Sequence, residues 1–250
     1  MSRTYSRQFA ERGRAKAYDA GQYGETSYSS LLWEMEKEFL GRFLDDFGQS
    51  LPAIDYLDFA CGSGRVISFV EQFVDSSIGV DISQDMLDAA ANRVKRSTLV
   101  RRDLTEEDQS PEGKYDLITA FRFFLNAEPT LREAAMRALT VRLKDDKSRL
   151  IFNNHGNPFS HKMLLWPFHQ LGRLKEGYHP SGNYLTDGEV RRLIDSAGLV
   201  TTASYGYGYL SAKAITFLGY GRVDRLERAL ARKSYLDRVG VNRIYVCRLT

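Results

Sequence analysis

A turn with two glycines is the first part of the sequence whose residue types point to chemistry. The stretch YLDFACGSGRVISFV runs from an apolar segment into a turn that contains Gly62 and Gly64, and then into a second apolar segment. Glycine permits positive φ angles and lets the backbone approach a ligand closely. The N-terminus of a helix after such a turn favours an anionic group. A purely structural tight turn explains two glycines equally well, so the surrounding residues must decide.

Aspartates follow three successive apolar segments, at positions where strands would end. Asp58 lies near the end of the first segment, Asp81 ends the second and Asp103 ends the third. An acid at the end of the second strand, 17 residues after Gly64, can accept hydrogen bonds from both hydroxyls of a ribose. An oxygen at the third strand end could accept from an adenine amino group. Each residue alone is an ordinary loop aspartate, but together they predict a site for an adenosine-containing ligand.

A nicotinamide dinucleotide is the main alternative ligand, because it also requires a glycine turn and a ribose-binding acid. Its fingerprint needs a third glycine three residues after the second, for close packing of helix on strand. That position is Ile67 here. A pyrophosphate would be crowded at this turn, whereas a smaller adenosyl amino acid would not.

Strand-like and helix-like segments alternate after Pro52, which predicts an α/β fold. Strands separated by helices of this length require a mostly parallel sheet with right-handed crossovers. Ligands of such sheets lie at the carboxyl ends of the strands. The predicted strands are 54–60, 76–82, 97–103, 115–121, 148–155, 199–207 and 242–249. The main predicted helices are 30–47, 64–74, 130–143, 186–198 and 221–233.

The glycine turn and its aspartates resemble the class I S-adenosylmethionine (SAM)-dependent methyltransferases. The first motif of that family, acid-x-Gly-x-Gly-x-Gly, appears here as Asp58-Phe-Ala60-Cys-Gly62-Ser-Gly64. Ala60 replaces the first glycine, and we expect this to be tolerated because the position still belongs to the strand. The resemblance covers residues 50–155 in detail and the remainder in outline. It implies SAM as cofactor and a Rossmann-like, mostly parallel seven-stranded sheet with an antiparallel last strand.

The resemblance also implies roles for individual residues. The glycine turn would hold the methionine moiety, Asp81 the ribose, and Ile82 would pack on the adenine. Asp103 and Leu104 match the segment that reads the adenine edge, and the backbone carbonyl of Phe121 would receive the ligand's amino group. The predicted cofactor-binding residues are Asp58, Ala60, Gly62, Gly64, Asp81, Ile82, Met86, Asp103, Leu104, Phe121 and Tyr18.

We predict two domains, an N-terminal helical cap over 1–50 and a SAM-binding methyltransferase domain over 51–250. The N-terminal helices of the resembling family often close over SAM, which makes Tyr18, Tyr23 or Tyr28 candidates to cover it. A substrate lid is predicted as an insertion at 156–184, where this family often carries one.

The predicted catalytic residue is His155, at the end of the strand 148–155. A hydroxyl acceptor needs a general base near neutral pH, and histidine suits that task. The alternative is a structural histidine that orients the loop. The other histidines, His161, His169 and His179, are more typical of surface or packing positions. The spacing of the four places no two on adjacent helical turns, so no metal site is predicted.

Three polar residues near the predicted strand ends are candidates for binding the acceptor. Arg122 could hold a carboxylate or phosphate of the substrate, or only pair with a nearby acid. Asn126 and Asn154 could hydrogen-bond a polyhydroxylated acceptor, although asparagine at strand ends also serves turns.

Composition and charge limit the choice of partners. A net charge of +3 is too weak to indicate nucleic acid, although 222–248 holds eight Lys or Arg against three acids. That basic segment is either a solvated helical face or a contact for an anionic substrate or a membrane surface. Two cysteines give no disulfide framework, and no apolar stretch resembles a signal peptide. We therefore expect a cytoplasmic protein.

The sequence predicts a SAM-dependent methyltransferase that acts on a hydroxyl of a small molecule, either a sugar or a secondary metabolite. The alternatives are N-methylation of a small amine and O-methylation of a lipid-linked acceptor. Outside the enzymes, the alternative is a SAM-binding protein that does not catalyse a reaction.

Overall fold

Helices and strands alternate in a computed structural model of the chain, which describes residues 26–106, 113–160, 163 and 184–250. The strands are β1 (Asp55–Phe59), β2 (Ser76–Asp81), β3 (Thr98–Arg101), β4 (Leu117–Ala120), β5 (Arg149–Asn154), β6 (Leu199–Tyr207) and β7 (Asn242–Leu249). The helices are α1 (Tyr28–Gly48), α2 (Arg65–Val70), α3 (Gln84–Ala91), α4 (Pro129–Thr140), α5 (Asp187–Ser196), α6 (Lys213–Leu218) and α7 (Tyr220–Ala231). A 3₁₀ helix spans Ser234–Val239.

The strands form one seven-stranded sheet in the order β3-β2-β1-β4-β5-β7-β6. Strands β1 to β5 are parallel, and β7 lies antiparallel between β5 and β6. Because β5 and β6 both run opposite to β7, β6 runs in the same direction as β1. The last residues of β1 to β6 and the first residue of β7 therefore share one edge of the sheet, which we call the carboxyl edge. The predicted fold class is confirmed.

Two apolar cores cover the two faces of the sheet. One contains residues of α4 and α5, and the other contains residues of α1, α2 and α7. Leu31 and Leu40 of α1 lie in the same core as Tyr56 of β1, so this helix is part of the layered fold. Residues 1–25 and most of 156–184 lie outside the described residues, so the predicted domain boundary and lid stay predictions.

Side-chain caps begin two of the helices. Ser27 caps α1 by accepting from the backbone N–H of Ser30 at 3.1 Å. At α5 the Thr186 hydroxyl accepts from the Glu189 N–H, and the Glu189 carboxylate accepts from the Thr186 N–H. Each cap satisfies backbone donors that a helix leaves unpaired.

Glycines determine how closely α2 approaches its neighbours. A Cβ at Gly64 would lie 2.8 Å from the Cβ of Ala90 in α3, and Gly64 has φ 79°. On β2, a Cβ at Gly79 would lie 2.9 Å from Cδ1 of Ile67. Gly79 therefore makes room for the isoleucine that occupies the position of a third glycine.

Gly64→Ala should destabilise the fold by about 2–4 kcal/mol, because it adds left-handed strain to a clash with α3. Gly188→Ala in α5 is the matched control, since nothing lies within 4 Å of the added Cβ. It should leave stability unchanged or raise it, because alanine favours helix. Urea unfolding measures both, and equal stabilities of the two variants would contradict this account.

Candidate active site

A cavity opens at the carboxyl edge, around the turn after β1 and the ends of β2 and β4. It brings together most of the site residues that the sequence predicts, from both the cofactor set and the acceptor set. Those that line it are Asp58, Ala60, Gly62, Asp81, Ile82, Met86, Asp103, Phe121, Arg122 and Asn126.

The Asp81 carboxylate is fixed against the glycine turn. Its Oδ2 accepts from the Gly62 N–H at 2.9 Å, and its Oδ1 accepts from the Ser83 N–H at 2.9 Å. Burial raises the pKa of Asp81, while these backbone hydrogen bonds lower it. The acid at the end of β2 therefore lies beside the turn, as the ribose assignment requires.

Ala60 differs from the expectation for its position. Strand β1 ends at Phe59, and Ala60 has φ 52°. The prediction that Ala60 belongs to the strand is therefore wrong. A residue with a Cβ in this left-handed region costs on the order of 1 kcal/mol, and such strain is often found at functional sites.

The Asp58 carboxylate is buried with only one of its two oxygens bonded. The side chain is 1% exposed, and Oδ1 accepts from the Thr119 hydroxyl at 2.6 Å. The other oxygen, Oδ2, is buried and accepts no hydrogen bond from the described residues. Burial raises the pKa of Asp58 to about 7, although the Thr119 hydroxyl and the Ile67 backbone lower it. A buried acceptor on the cavity wall is suited to a cationic ligand group, because an ammonium would supply the missing partner.

Asp103, the third predicted acid, stabilises the turn after β3 through its own side chain. Asp103 Oδ1 accepts from the Thr105 N–H at 2.9 Å and from its hydroxyl at 2.6 Å, and both residues line the cavity. Leu104 does not line it, and its buried side chain belongs to the core with α4 and α5. That the segment of Asp103 and Leu104 reads the adenine edge stays a prediction.

Arg122 follows the end of β4 with a strained backbone that its neighbours hold in place. Its φ is 60°. Its N–H donates to Asn153 Oδ1 at 2.6 Å, and its carbonyl accepts from Asn126 Nδ2 at 2.8 Å. A non-glycine residue persists in this conformation only when its surroundings fix it. The site therefore presents Arg122 in one defined backbone geometry.

A buried polar cluster on α1, β5 and β6 supports Arg122. The Arg122 guanidinium lies 3.5 Å from the Glu36 carboxylate, which is buried in α1. Glu36 also accepts from the Tyr207 hydroxyl and, at 3.4 Å, from Asn153 Nδ2. Burial and the Glu36 charge raise the pKa of Tyr207 above its usual value. Arg122 therefore pairs with an acid, which is one of its two sequence alternatives; it also lines the cavity, and its binding of a substrate stays a prediction.

Sequence reasoning missed Glu36, although the sequence holds a signal for it. Glu36 lies four residues from Leu32 and four from Leu40, so it interrupts the apolar stripe of the helix. A charge on a buried stripe requires a partner. Arg65 and Arg102 also line the cavity without having been singled out, and the Arg65 guanidinium lies 5.1 Å from the centre of the Trp33 ring.

Several predicted residues lie elsewhere. Gly64 shapes the turn but does not line the cavity. Asn154 is not on the cavity either, because its Nδ2 donates to the Leu185 carbonyl at 2.7 Å and its Oδ1 accepts from the Gly156 N–H at 3.1 Å. This corrects its assignment to the substrate, since both ends of the amide fix the loop after β5.

His155 and the tyrosines also differ from the expectation. His155 follows β5 and is partly buried, but it is not among the described residues that line the cavity. The Tyr28 hydroxyl donates to Glu227 at 2.6 Å, so this side chain joins α1 to α7 and does not cover the cofactor cavity. The predictions for Tyr18, Tyr23, His161, His169 and His179 fall outside the described residues.

The described residues hold neither a metal-ligand cluster nor a membrane-spanning helix. No group of three or more His, Cys, Asp or Glu residues in them is arranged to hold a metal ion. None of their helices is long and apolar enough to cross a membrane.

Known proteins with similar sequence or structure narrow the assignment. A family model described as a methyltransferase domain matches residues 57–146. No curated protein matches the chain. Magnesium protoporphyrin IX methyltransferase from Synechocystis PCC 6803, crystallised with bound SAH (S-adenosylhomocysteine), is similar in structure, with 15% identity, 98% of each chain covered and a TM-score of 0.66. A SAM-dependent methyltransferase from Clostridium acetobutylicum ATCC 824 has 15% identity, with 94% of this chain and 97% of that chain covered and a TM-score of 0.60.

Residues 57–146 resemble a methyltransferase domain, and the chain shares its fold with a methyltransferase crystallised with bound SAH or SAM, so SAM is the cofactor to test against the cavity. The cavity fits this cofactor. Gly62 and Gly64 have φ 55° and 79°, which opens the backbone of the turn, and the second oxygen of Asp58 lacks the partner that an ammonium supplies. Asp81 lies where it would hold the ribose.

SAM-site affinity should depend on pH through Asp58. An ammonium favours the ionised carboxylate, so binding should weaken as pH falls below about 7 and Asp58 becomes protonated. Calorimetric titration with SAH should show about tenfold tighter binding at pH 7.5 than at pH 6. Asp58→Asn should bind at least about tenfold more weakly at pH 7.5 and lose this pH dependence. The same dependence in the variant would show that another group is responsible.

Proposed function

We propose that the protein transfers a methyl group from SAM to an oxygen atom of a small molecule that carries an anionic group. The observation that carries this proposal is that Arg122 lines the cofactor cavity, with its side chain 19% exposed. A planar guanidinium has five donors and can bind Glu36 and a second anionic group together. It is therefore suited to a carboxylate or phosphate of the acceptor.

The residues of the chain have to orient the reactants, because the donor is already activated. When bound, SAM supplies a methyl group on a positively charged sulfur. Asp58 and Asp81 would fix the cofactor at its two ends, and Arg122 and Asn126 would hold the acceptor beside it. Fixing two reactants in line removes much of the entropic barrier to a displacement.

The acceptor oxygen that this geometry favours is one that is already ionised when it reacts. A neutral hydroxyl needs a general base, and His155 is not among the described residues on the cavity. A nearby guanidinium favours the ionised form of an acidic hydroxyl or a carboxylate. We therefore propose an acidic hydroxyl or a carboxylate as the methyl acceptor, rather than a sugar hydroxyl.

The same charge argues against two alternatives. A protonated amine would be repelled by Arg122, which disfavours N-methylation. A SAM-binding protein without turnover would not require the strained Arg122 backbone, which Asn153 and Asn126 hold. Strain of this kind is typical of sites that orient a reacting group.

An acceptor panel tests the proposed function. The protein would be incubated with SAM and with small carboxylic acids, phenols, neutral sugars or amines, and SAH formation would be followed. We expect turnover with the acids and acidic phenols. Turnover confined to neutral sugars or amines would contradict the proposal, and SAH binding without turnover on any acceptor would support the non-catalytic alternative.

Arg122→Gly should lower kcat/KM for the acceptor by about 10–100-fold, because a charge-assisted hydrogen bond contributes about 1.5–3 kcal/mol. Glycine accepts φ 60° without strain, so the backbone should persist. The affinity for SAH should change less than about threefold. Arg137→Ala is the control, since this arginine lies exposed on α4 and should have no effect. A loss of SAH affinity as large as the loss of kcat/KM would contradict the acceptor role.

His155→Ala should retain turnover and the pH profile of the parent enzyme, because an ionised acceptor needs no base. Steady-state kinetics from pH 6 to 9 measure both. A loss of turnover with unchanged SAH affinity would instead establish His155 as the general base and a neutral hydroxyl as the acceptor.

A further inference from the structure

The segment between β6 and β7 leaves the carboxyl edge and returns to it. It contains α6, α7 and the 3₁₀ helix, and its two ends meet where the Val241 N–H donates to the Gly208 carbonyl at 3.0 Å. Since β6 ends and β7 begins at the carboxyl edge, both ends of this segment lie at the same edge of the sheet as the cofactor cavity.

All exposed charges in this segment are positive. Residues 211–240 are all described, and their exposed charged side chains are Lys213, Arg222, Arg225, Arg232, Lys233 and Arg238. The three acids of the stretch are partly or fully buried, and each bonds within the protein. Asp224 pairs with Arg228 at 2.7 Å, Glu227 accepts from the Tyr209 N–H at 2.9 Å, and Asp237 accepts from the Gly206 N–H at 3.4 Å.

Large apolar side chains of the same segment are exposed as well. Phe217 is 82% exposed and Tyr235 is 76% exposed, and Leu218, Leu226 and Val239 are also exposed. None of the residues of α6 is buried. We call the exposed side chains of residues 213–239 the basic apolar surface. Such a combination of cations and apolar tips requires a partner that offers both negative charge and an apolar phase.

We propose that the basic apolar surface docks on an anionic lipid membrane. Amphipathic helices that carry Lys and Arg beside Phe and Leu bind at the headgroup boundary, where the cations meet anionic lipids and the apolar tips enter the acyl region. A nucleic acid would satisfy the cations but not Phe217 or Leu218. A second copy of the chain would place six cations against six, and this disfavours self-association through the same surface.

Docking in this way would turn the carboxyl edge, and with it the cofactor cavity, towards the lipid. The loop after β5 leaves the same edge of the sheet and also exposes an apolar side chain. Phe159 is 56% exposed, and Asn157 ties its loop to the end of the basic segment by donating from Nδ2 to the Gly240 carbonyl at 2.9 Å. Resting on the proposed function, this favours an amphipathic or lipid-linked acid as the acceptor.

Vesicle sedimentation of the full chain tests the docking. At a salt concentration of about 0.1 M, the protein should sediment with vesicles of equal phosphatidylcholine and phosphatidylglycerol and stay in solution with phosphatidylcholine alone. Binding should fall steeply at about 1 M salt, where screening shortens the range of the charges to about 3 Å. Equal binding to both kinds of vesicle, or to neither, would overturn the proposal.

Paired variants separate the charged part of the surface from the apolar part. Arg222→Glu with Arg225→Glu should lower partitioning into anionic vesicles at least about 25-fold, because each cation near the surface contributes about fivefold. Phe217→Ser with Tyr235→Ser should lower it at least about tenfold. The matched control, Arg137→Glu with Lys147→Glu, makes the same change in net charge on α4 and on the loop before β5, and should bind as the parent does.

SAH affinity and turnover on a soluble acceptor are measured for the same variants, so failure of docking is distinguishable from failure of the proposed function. Both should stay within about twofold of the parent for all three variants. An equal loss of binding in the control variant would overturn the assigned surface. So would stronger binding to single-stranded DNA than to the vesicles, or a dimer that Phe217→Ser with Tyr235→Ser dissociates.

Discussion

A buried carboxylate with one bonded and one unbonded oxygen lies near the end of strand β1. Asp58 accepts from Thr119 through Oδ1, while Oδ2 has no hydrogen-bond donor among the described residues. Ionising such a group is costly, and its pKa of about 7 reflects that cost. From the pH at which the unfolded chain ionises, about 4, up to about 7, the folded state loses stability because it keeps the proton longer. A cationic ligand offsets this loss, so cofactor binding and fold stability depend on the same oxygen.

Backbone strain just after two neighbouring strands is a second constraint on the site. Ala60 follows β1 and Arg122 follows the end of β4, and both have positive φ. The conformation of Arg122 is fixed by neighbours that are distant in sequence, because Asn153 of β5 accepts from its N–H and Glu36 of α1 pairs with its side chain. Helix α1 is therefore part of the acceptor end of the site as well as of the core. The carboxyl edge combines a cationic guanidinium for the acceptor with carboxylates for the cofactor.

The sheet and the cofactor end were predictable from sequence because local pattern determines them. Strand periodicity, glycine spacing and an acid at each of three strand ends require no knowledge of distant contacts. The errors share a different cause. Asn154 and His155 lie at the strand end that the pattern indicates. The direction of their side chains depends on the loop after β5, and Asn154 hydrogen-bonds to that loop instead of facing the cavity. Glu36 acts on Arg122 across 86 residues of sequence, and only the folded structure brings the two together. Ala60 appeared to belong to the strand because an apolar run does not show where extended backbone ends.

The connection between β6 and β7 adds an exposed surface that carries cations and aromatic side chains. Both ends of this connection lie at the carboxyl edge, where the cavity also opens. The account depends most on how the cofactor sits against Asp58. A crystal structure of the protein with SAH measures this directly. We expect the ligand's ammonium within about 3 Å of Asp58 Oδ2 and its ribose hydroxyls on Asp81. An SAH molecule with its amino group directed away from Asp58, or bound outside the cavity, would contradict the account.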